Sequence, residues 1–219
     1  MIIAIDGPAG AGKSTVAKLL SKKLDFLYID TGAMYRALTL KAIESGIDVT
    51  DTGKLVSMAL DTDIDLQYIK ESGSLRVFLD GSDVSSQIRQ PRITRIVSDI
   101  AKIKEIRVIL LELQRKLGKQ NNSVLDGRDI GTVVFPDAEK KFYLDANPQE
   151  RVMRRFKELC GLGEKVTLQD IEKDLKNRDT IDSTRAFAPL KQAKDAIYID
   201  TTSMSIEEVV NEMLKNIVI

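Results

Sequence analysis

The segment Gly7-Pro8-Ala9-Gly10-Ala11-Gly12-Lys13-Ser14 limits the folds open to this chain more than any other stretch. Four residues separate Gly7 from Gly12, and Lys and Ser follow at once, which is the full pattern of a phosphate-binding loop. The apolar run at residues 2–5 predicts a buried strand before the loop. Helical spacing of apolar residues follows at 15–24. Strand, loop and helix therefore come in the order that this motif requires.

The residue types of the loop explain why it would bind phosphate. Glycines admit positive φ and let the backbone approach an anion closely. Successive N–H groups then form a concave nest at the positive end of the helix dipole. We expect Lys13 to reach the β and γ phosphates and the Ser14 hydroxyl to bind Mg²⁺. The predicted set for the phosphate donor is Gly7, Pro8, Ala9, Gly10, Ala11, Gly12, Lys13, Ser14 and Thr15.

The composition excludes several kinds of chemistry. The 219 residues include no histidine, which excludes His-based triads, histidine metal sites and histidine general bases. One cysteine excludes an internal disulfide framework and a multi-cysteine zinc site. The expected metal is therefore a hard cation held by oxygen and phosphate. A formal net charge of zero gives no support for nucleic-acid or membrane-surface binding.

Two further features bear on location and assembly. No apolar run is long enough to span a bilayer, and the N-terminus enters the first predicted strand without room for a secretory signal. These features predict a cytoplasmic protein. Zero net charge and the lack of an obvious exposed apolar helix predict a monomer.

The alternation of short strands and helices predicts an α/β fold, with a parallel sheet of about five strands and helices on both faces. The predicted strands are residues 2–5, 26–29, 123–125, 141–144 and 196–199. The predicted helices are residues 15–24, 33–45, 52–60, a stretch that begins at 91, 103–117, 148–160, 168–178 and 206–217.

The pattern changes at residues 63–68 and 75–79, where apolar and polar residues alternate. Turn signals lie at Glu71-Ser72-Gly73 and Asp80-Gly81. We predict a small antiparallel sheet inserted into the α/β chain. It could carry specificity or be structural decoration, and the pattern favours neither interpretation.

Charged side chains follow two of the predicted strands. Asp30-Thr31-Gly32 leads into a helix whose first turns carry Arg36, within reach of a second anion. Asp126-Gly127-Arg128-Asp129 follows the next strand of the core. Because open α/β sheets bind ligands at the carboxyl ends of their strands, Asp126 could hold the Mg²⁺ shell and Arg128 could clamp a phosphate. The alternatives are a plain helix start with an exposed arginine, and a salt bridge within a turn.

The arginines that could reach a bound phosphate are more numerous than one nucleotide requires. Arg151, Arg154 and Arg155 lie on one face of the helix at 148–160, either as a solvated basic face or as a short lid over a transferring phosphoryl group. The surplus suggests two phosphorylated ligands that meet end to end, with catalysis mostly by alignment and charge neutralisation. The arginines concerned are Arg36, Arg128, Arg151, Arg155, Arg178 and Arg185.

The chain resembles the bacterial cytidylate kinases, which are nucleoside monophosphate kinases with a phosphate-binding loop, over nearly its whole length. The resemblance rests on IDGPAGAGKST at 5–15, DTGAMYR at 30–36, DGRDIGTVVFPDA at 126–138, the Arg178-Asp179 pair and RAFAPL at 185–190. A very large superfamily shares the first of these motifs, whereas the later long stretches are far more specific. The inserted sheet also resembles an insertion in the monophosphate lobe of the bacterial enzymes.

This resemblance implies transfer of the γ-phosphoryl group of ATP to CMP or dCMP with Mg²⁺, giving ADP and CDP or dCDP. It implies a core at 1–35, 101–150 and 167–219, a monophosphate-binding lobe at 36–100 and a short lid at 151–166. The residues that would bind CMP are Thr31, Arg36, Ser98, Arg107, Arg128, Asp129, Arg178, Asp182 and Arg185. The residues expected to act in catalysis are Lys13, Arg128, Arg155 and Arg178.

The resemblance assigns the parts of CMP to different residues. Arg36, Arg128 and Arg185 would bind the acceptor phosphate, beside Thr31. Arg178 and Asp182 would contact the ribose, and Ser98, Arg107 and Asp129 would read the base. The last assignment makes chemical sense, because the cytosine 4-amino group needs an acceptor such as a carboxylate, and N3 and O2 need donors. Uracil has an oxygen at the 4-position, which would leave the carboxylate unpaired or repelled.

Three other functions compete with this interpretation. A GTPase-type switch usually carries Asp-x-x-Gly and Asn-Lys-x-Asp, and the sequence contains neither. Kinases of small metabolites, such as a sugar acid or shikimate, are typically shorter and lack the inserted sheet. Dual use of UMP and CMP is disfavoured but stays open. The sequence leaves open the preference between CMP and dCMP, the choice of donor triphosphate and the residues around its base.

Overall fold

The computed structural model describes residues 1–69 and 73–217. Its strands are β1 (Ile2–Asp6), β2 (Leu27–Asp30), β3 (Ile64–Ile69), β4 (Ser74–Leu79), β5 (Ser82–Asp83), β6 (Ser123–Asp126), β7 (Lys140–Asp145) and β8 (Ile197–Asp200). Its α-helices are α1 (Lys13–Leu24), α2 (Thr31–Glu44), α3 (Thr52–Leu60), α4 (Pro91–Ala101), α5 (Lys104–Gly118), α6 (Pro148–Gly161), α7 (Leu168–Thr184) and α8 (Ile206–Lys215).

Five parallel strands form the central sheet in the order β2-β6-β1-β7-β8. All five were predicted, and their bounds differ from the prediction by no more than one residue at either end. Ile3, Ala4 and Ile5 on the middle strand β1 are fully buried, so both faces of the sheet are covered by helices. The predicted α/β architecture is therefore confirmed.

The register of the sheet brings several acidic side chains to one edge. Asp126 at the end of β6 pairs with Asp30 of β2 on one side and with Ile5 of β1 on the other. Asp6, the last residue of β1, pairs with Tyr143 of β7. The carboxyl ends of β1, β2 and β6 therefore meet where the phosphate-binding loop leaves β1, at the ligand-binding edge of an open α/β sheet.

A separate three-stranded antiparallel sheet, in the order β3-β4-β5, confirms the predicted insertion. On β4 the predicted alternation is observed, because Leu75, Val77 and Leu79 are buried while Ser74 and Arg76 are exposed. The buried residues join the main core, so the insertion is a continuation of it. The turn predicted at Glu71-Ser72 lies outside the described residues.

Three details of the elements differ from the prediction. Helix α7 does not end near Arg178 but continues to Thr184. Its last turns are regular helix but lack an apolar stripe, and the prediction relied on such a stripe. Residues 130–134 form a short π-helix that no periodic pattern indicated. Helix α8 begins with the predicted capping box of Ser205 and Glu208 but ends at Lys215. None of the helices in the described part of the chain combines the length and the apolar character needed to cross a membrane.

We predict that two glycines in equivalent helical positions respond differently to alanine. Gly118 ends α5, where an added Cβ would lie 2.6 Å from Cζ of Phe135. Gly161 ends α6, where an added Cβ would meet nothing within 4 Å. We expect Gly118→Ala to lower the free energy of unfolding by about 1–3 kcal/mol through overpacking. Gly161→Ala is the matched control and should change it by less than about 0.5 kcal/mol. Urea unfolding measures both, and equal stability of the two variants would contradict the prediction.

Candidate active site

The phosphate-binding loop connects β1 to α1 in a conformation that needs its glycines. Gly12 has φ of 86° and directly precedes the first residue of α1, and Gly10 has φ of 80°. A Cβ on Gly7 would lie 1.9 Å from the carbonyl oxygen of Leu144 in the neighbouring strand β7. The loop therefore requires glycine for left-handed backbone at Gly10 and Gly12, and for close packing at Gly7.

Lys13, at the start of α1, lies under the loop. Its ammonium donates to the carbonyl oxygen of Pro8 at 2.6 Å, and the side chain is almost fully buried. Burial, and then the positive charge of Arg128, lower the pKa of Lys13. The ammonium is therefore held within the loop and near a second cation, an arrangement that an anion would stabilise.

Ser14 and Tyr28 both donate to Asp126. The Ser14 hydroxyl reaches Oδ2 at 2.7 Å, and the Tyr28 hydroxyl reaches Oδ1 at 2.8 Å. Burial, followed by the nearby charge of Asp30, raises the pKa of Asp126 to about 6. Each carboxylate oxygen thus has one fixed partner, and the carboxylate plane is defined.

These oxygens fit a hard cation. The Ser14 hydroxyl and the Asp126 carboxylate supply the kind of oxygen that Mg²⁺ prefers. Within the described residues, no group of three or more histidine, cysteine, aspartate or glutamate side chains could hold a metal by itself. A cation bound here would therefore take most of its ligands from phosphate and water, as Mg²⁺ does in phosphoryl-transfer sites.

The start of α2 carries the second predicted anion site. Asp30 caps this helix by accepting from the Ala33 N–H at 2.9 Å, and its other oxygen accepts from Arg36 at 2.7 Å. The Thr31 hydroxyl donates to the carbonyl oxygen of Asp126 at 2.7 Å, which ties α2 to β6. Nε of Arg36 is buried without a hydrogen-bond partner. The guanidinium is thus oriented by Asp30 with donor capacity left over.

The three residues predicted to read a base come from three elements. Arg107 of α5 donates to Oδ2 of Asp129 at 2.6 Å and to the carbonyl oxygen of Ala101 at 3.0 Å. Its guanidinium lies over the ring of Tyr35, 5.2 Å from the centroid. Ser98 of α4 is buried and borders the adjoining cavity, while Arg107 and Asp129 lie behind the cavity wall. The structure therefore brings Arg107 and Asp129 together as an ion pair, with Ser98 on the cavity side.

A second buried ion-pair network lies at the C-terminal end of α7, around Asp182. Arg128 donates to Asp182 at 2.8 Å, and Arg185 lies 3.4 Å from the other oxygen of that carboxylate. Arg185 also lies 3.6 Å from Asp129, which links this network to the predicted base-reading residues. Burial would raise the pKa of Asp182, but Arg128, Arg178 and Arg185 outweigh it and lower the pKa. Asp182 is therefore the carboxylate that keeps three arginines together.

Arg178, like Arg36, has a buried Nε without a hydrogen-bond partner. Burial, and then the charge of Arg128, lower the pKa of Arg178 to about 9, which still leaves it protonated at neutral pH. The side chain borders the same cavity as the phosphate-binding loop. An unpaired buried donor costs free energy, so this guanidinium is suited to an anionic partner.

The three arginines of α6 have separate contacts. Arg151 pairs with Asp179 and donates to the carbonyl oxygen of Ala9 in the loop at 3.1 Å. Arg154 donates to the Thr201 hydroxyl at 2.9 Å. Arg155 forms its ion pair with the exposed Glu158, 2.7 Å away on the same helix. Arg154 and Arg155 border the cavity, whereas Arg151 anchors α6 to the loop.

A cavity of about 1220 Å³ joins part of these groups. Its lining does not include Thr31, Arg107, Asp129, Asp182 or Arg185. Its wall includes the loop from Ala9 to Val16, together with Arg36, Arg128 and Arg178. Residues 201–206, which lead into α8, also line the cavity. They lie next to the phosphate-binding loop, since the Thr201 hydroxyl donates to the Ala11 carbonyl oxygen at 3.3 Å. Common ligand pockets hold about 300–1,000 Å³, so this volume accommodates more than one small ligand.

Comparison with known proteins identifies the family. A family model described as cytidylate kinase matches residues 3–218. The chain belongs to the cytidylate kinase family. The protein named cytidylate kinase of Clostridioides difficile (strain 630) is 50% identical over 217 residues, which are 99% of this chain and 98% of that protein. The one of Pediococcus pentosaceus is 51% identical over 213 residues, 97% of this chain and 93% of that protein.

Solved structures of other proteins share the fold of this chain. An uncharacterized protein from Eubacterium ventriosum has a TM-score of 0.53 at 13% identity, covering 99% of this chain and 97% of its own. A gluconokinase from Sinorhizobium meliloti has a TM-score of 0.50 at 12% identity, covering 97% of this chain and 89% of its own. Membership of the cytidylate kinase family makes this chain a phosphotransferase, and the sequence-based prediction of the family is confirmed.

Sequence reasoning missed several residues that hold the site together. Tyr28 orients Asp126, Tyr35 lies under Arg107, and Asp179 accepts from the Ala9 N–H at 3.3 Å. Asp6 accepts from the backbone N–H groups of Ile130 and Gly131, the two residues after Asp129. Asp6, Tyr35 and Asp179 all lie inside the motifs that carried the family resemblance, which is the one signal that could have singled them out.

We predict that Asp126 makes stability depend on pH. Its pKa is about 6 in the fold against an ordinary value of 3.8, so the folded state keeps a proton that the unfolded state releases as pH rises from about 4 to about 6. Its contribution to stability is therefore present below about pH 4 and lost by about pH 6.

Replacing the carboxyl should remove this dependence. We expect the free energy of unfolding of Asp126→Asn, measured in urea from pH 4 to pH 7, to fall less with rising pH than that of the wild type. Asp137→Asn changes an exposed carboxyl and should follow the wild-type curve. Parallel curves for Asp126→Asn and the wild type would contradict the assignment.

Proposed function

We propose that this chain transfers the γ-phosphoryl group of ATP to CMP or dCMP, giving ADP and CDP or dCDP. The observation that carries the proposal is the shared cavity, which the phosphate-binding loop borders together with Arg36, Arg128 and Arg178. Family membership supports CMP as the acceptor. The surplus of cations fits a reaction in which two phosphorylated ligands meet and catalysis consists mainly of alignment and charge neutralisation.

At the donor end, the loop at residues 7–15 would hold the β and γ phosphates of ATP through its available backbone N–H groups and the Lys13 ammonium. Ser14 and Asp126 would hold Mg²⁺, directly or through water. When bound, this ion neutralises charge on the phosphates. Thr202, Met204 and Ile206 border the cavity beside the loop and offer a surface for the donor base.

At the acceptor end, Arg36, Arg128 and Arg185 would bind the phosphate of CMP beside Thr31. The ion pair between Arg128 and Asp182 supports this role, because it fixes the guanidinium through Nε. Nη1 donates to the Gly127 carbonyl oxygen at 3.2 Å, which leaves Nη2 to donate to a phosphate. Arg178 and Asp182 would bind the ribose. Lys13, Arg128, Arg155 and Arg178 are the cations we propose to act on the transferring group.

The base would be read by Asp129, Arg107 and Ser98. The carboxylate of Asp129 accepts from the 4-amino group of cytosine, whereas the oxygen at that position in uracil repels it. Arg107 supports this arrangement because it orients Asp129 through a bond of 2.6 Å and is itself fixed by the Ala101 carbonyl oxygen. A site built to pair such groups rejects a ligand that leaves them unpaired.

The division into a core, a monophosphate-binding lobe at 36–100 and a lid at 151–166 stays a prediction, as do a monomeric state and a cytoplasmic location. The lid would act through Arg155, whose ion pair on the surface of α6 is weak enough to exchange for a phosphate. Arg151 would instead keep α6 attached to the loop.

We expect the enzyme to release ADP from ATP and Mg²⁺ with CMP or dCMP and much more slowly with UMP, AMP or GMP. A coupled assay with each monophosphate offered singly measures this. Lys13→Ala should abolish most turnover with the fold retained, whereas Lys22→Ala, on the exposed side of the same helix, should not. Turnover with another monophosphate would overturn the base assignment. No turnover with any of them, while ATP binds, would favour a metabolite kinase or a nucleotide-dependent switch.

We also expect Asp129→Ala to weaken the acceptor end selectively. Loss of the acceptor for the 4-amino group should raise the KM for CMP by roughly 10- to 100-fold, since a group left unpaired on burial costs about 1–3 kcal/mol. The KM for ATP should change little. Steady-state kinetics with CMP, UMP and ATP measure the three effects. Equal losses for ATP and CMP would remove Asp129 from base reading.

A further inference from the structure

Asp6 is a buried carboxylate that the proposed reaction does not use. It is the last residue of β1, the middle strand of the sheet, and 5% of its surface is exposed. Oδ1 accepts from the Ile130 N–H at 2.8 Å, and Oδ2 accepts from the Gly131 N–H at 2.8 Å. One carboxylate thus binds two successive backbone amides of a segment more than a hundred residues away in sequence.

The two amides begin the π-helix at Ile130–Val134, directly after Asp129. The carbonyl oxygen of Asp129 accepts from Val133 at 2.9 Å and from Val134 at 3.1 Å. The backbone of Asp129 is therefore joined to the π-helix, and Asp6 holds the first turn of that helix against the sheet. Without this support, the amides of residues 130 and 131 would be buried donors without a partner.

We propose that Asp6 is a positioning residue for recognition of the acceptor base. Through the Ile130 and Gly131 amides, it fixes the backbone that carries Asp129, so that the Asp129 carboxylate meets the donor group of the base at the correct place. The inference rests on the proposed function, because it takes Asp129 as the residue that reads the base.

The geometry requires two acceptor oxygens at this position. Both oxygens accept a hydrogen bond, whereas an amide side chain would turn an N–H₂ group toward one of the two backbone donors. A serine could keep only one of the two bonds.

A charge in this position is unfavourable for stability. Burial raises the pKa of Asp6 to about 7, and the charge of Asp129 adds to this, while the two amides and Lys13 oppose it. An apolar side chain would avoid the desolvation but would leave the Ile130 and Gly131 amides unpaired. The carboxylate at residue 6 therefore serves to satisfy these two amides and so to fix the backbone that follows Asp129.

The test is Asp6→Asn, measured by steady-state kinetics with CMP, UMP and ATP. We expect the KM for CMP to rise about tenfold, the ratio of kcat/KM for CMP over UMP to fall, and the KM for ATP and the kcat at saturating CMP to change less than twofold. Asp145→Asn is the matched control, since Asp145 ends the adjacent strand β7 and its carboxylate binds the Ala146 amide. It should leave all four values unchanged.

A double-mutant cycle separates positioning from a general structural effect. In an Asp129→Ala background, Asp6→Asn should raise the KM for CMP less than twofold, because the group it positions is gone. Full additivity, or an unchanged KM for CMP in the single variant, would overturn the proposal. Asp6→Ser serves if Asp6→Asn does not fold, and urea unfolding checks both. If the wild type uses another monophosphate, the proposed function fails, and the same cycle with that acceptor still decides the role of Asp6.

Discussion

The site depends on aspartates buried at the carboxyl ends of neighbouring strands, each of which needs a fixed partner. Parallel strands bring Asp30, Asp126 and Asp6 to one edge, where like charges and burial are unfavourable. Donors from other parts of the chain offset this, with Arg36 on Asp30 and the Ser14 and Tyr28 hydroxyls on Asp126. Because each donor belongs to a different element, satisfying these carboxylates also sets the positions of the loop, the helix α2 and the sheet.

The same requirement explains why the residues of the proposed acceptor end form a connected network. Asp182 and Asp129 are buried, and each contacts more than one arginine, so that moving one guanidinium would leave a carboxylate partly unpaired. A phosphate or a base that enters such a network exchanges partners with groups that are already oriented. Much of the reorganisation is therefore complete before a ligand binds. This preorganisation favours catalysis by alignment, which suits a chain that has no histidine.

The sequence predicted those features that local rules determine. Glycines with positive φ, strands with apolar runs and a helix capped by Ser205 all follow from nearby residues, and they appear as predicted. What sequence reasoning missed depends on contacts between distant segments. Tyr28 reads as one more apolar strand residue, and its hydroxyl matters because β2 lies beside β6. The π-helix after Asp129 has no periodic pattern because Asp6 and Arg115, from other elements, satisfy its backbone groups.

The insertion reaches the donor end of the site through two rings. Tyr68 of β3 packs edge-on against Tyr28, with ring centroids 6.1 Å apart, and Tyr28 donates to Asp126 beside Ser14. Tyr68 also accepts a long hydrogen bond of 3.4 Å from Ser21 of α1, the helix that follows the phosphate-binding loop. The inserted sheet therefore supports residues that we propose to lie around the phosphates. Since buried packing of this kind transmits displacement, a shift of the insertion would act on the orientation of Asp126 through Tyr68 and Tyr28.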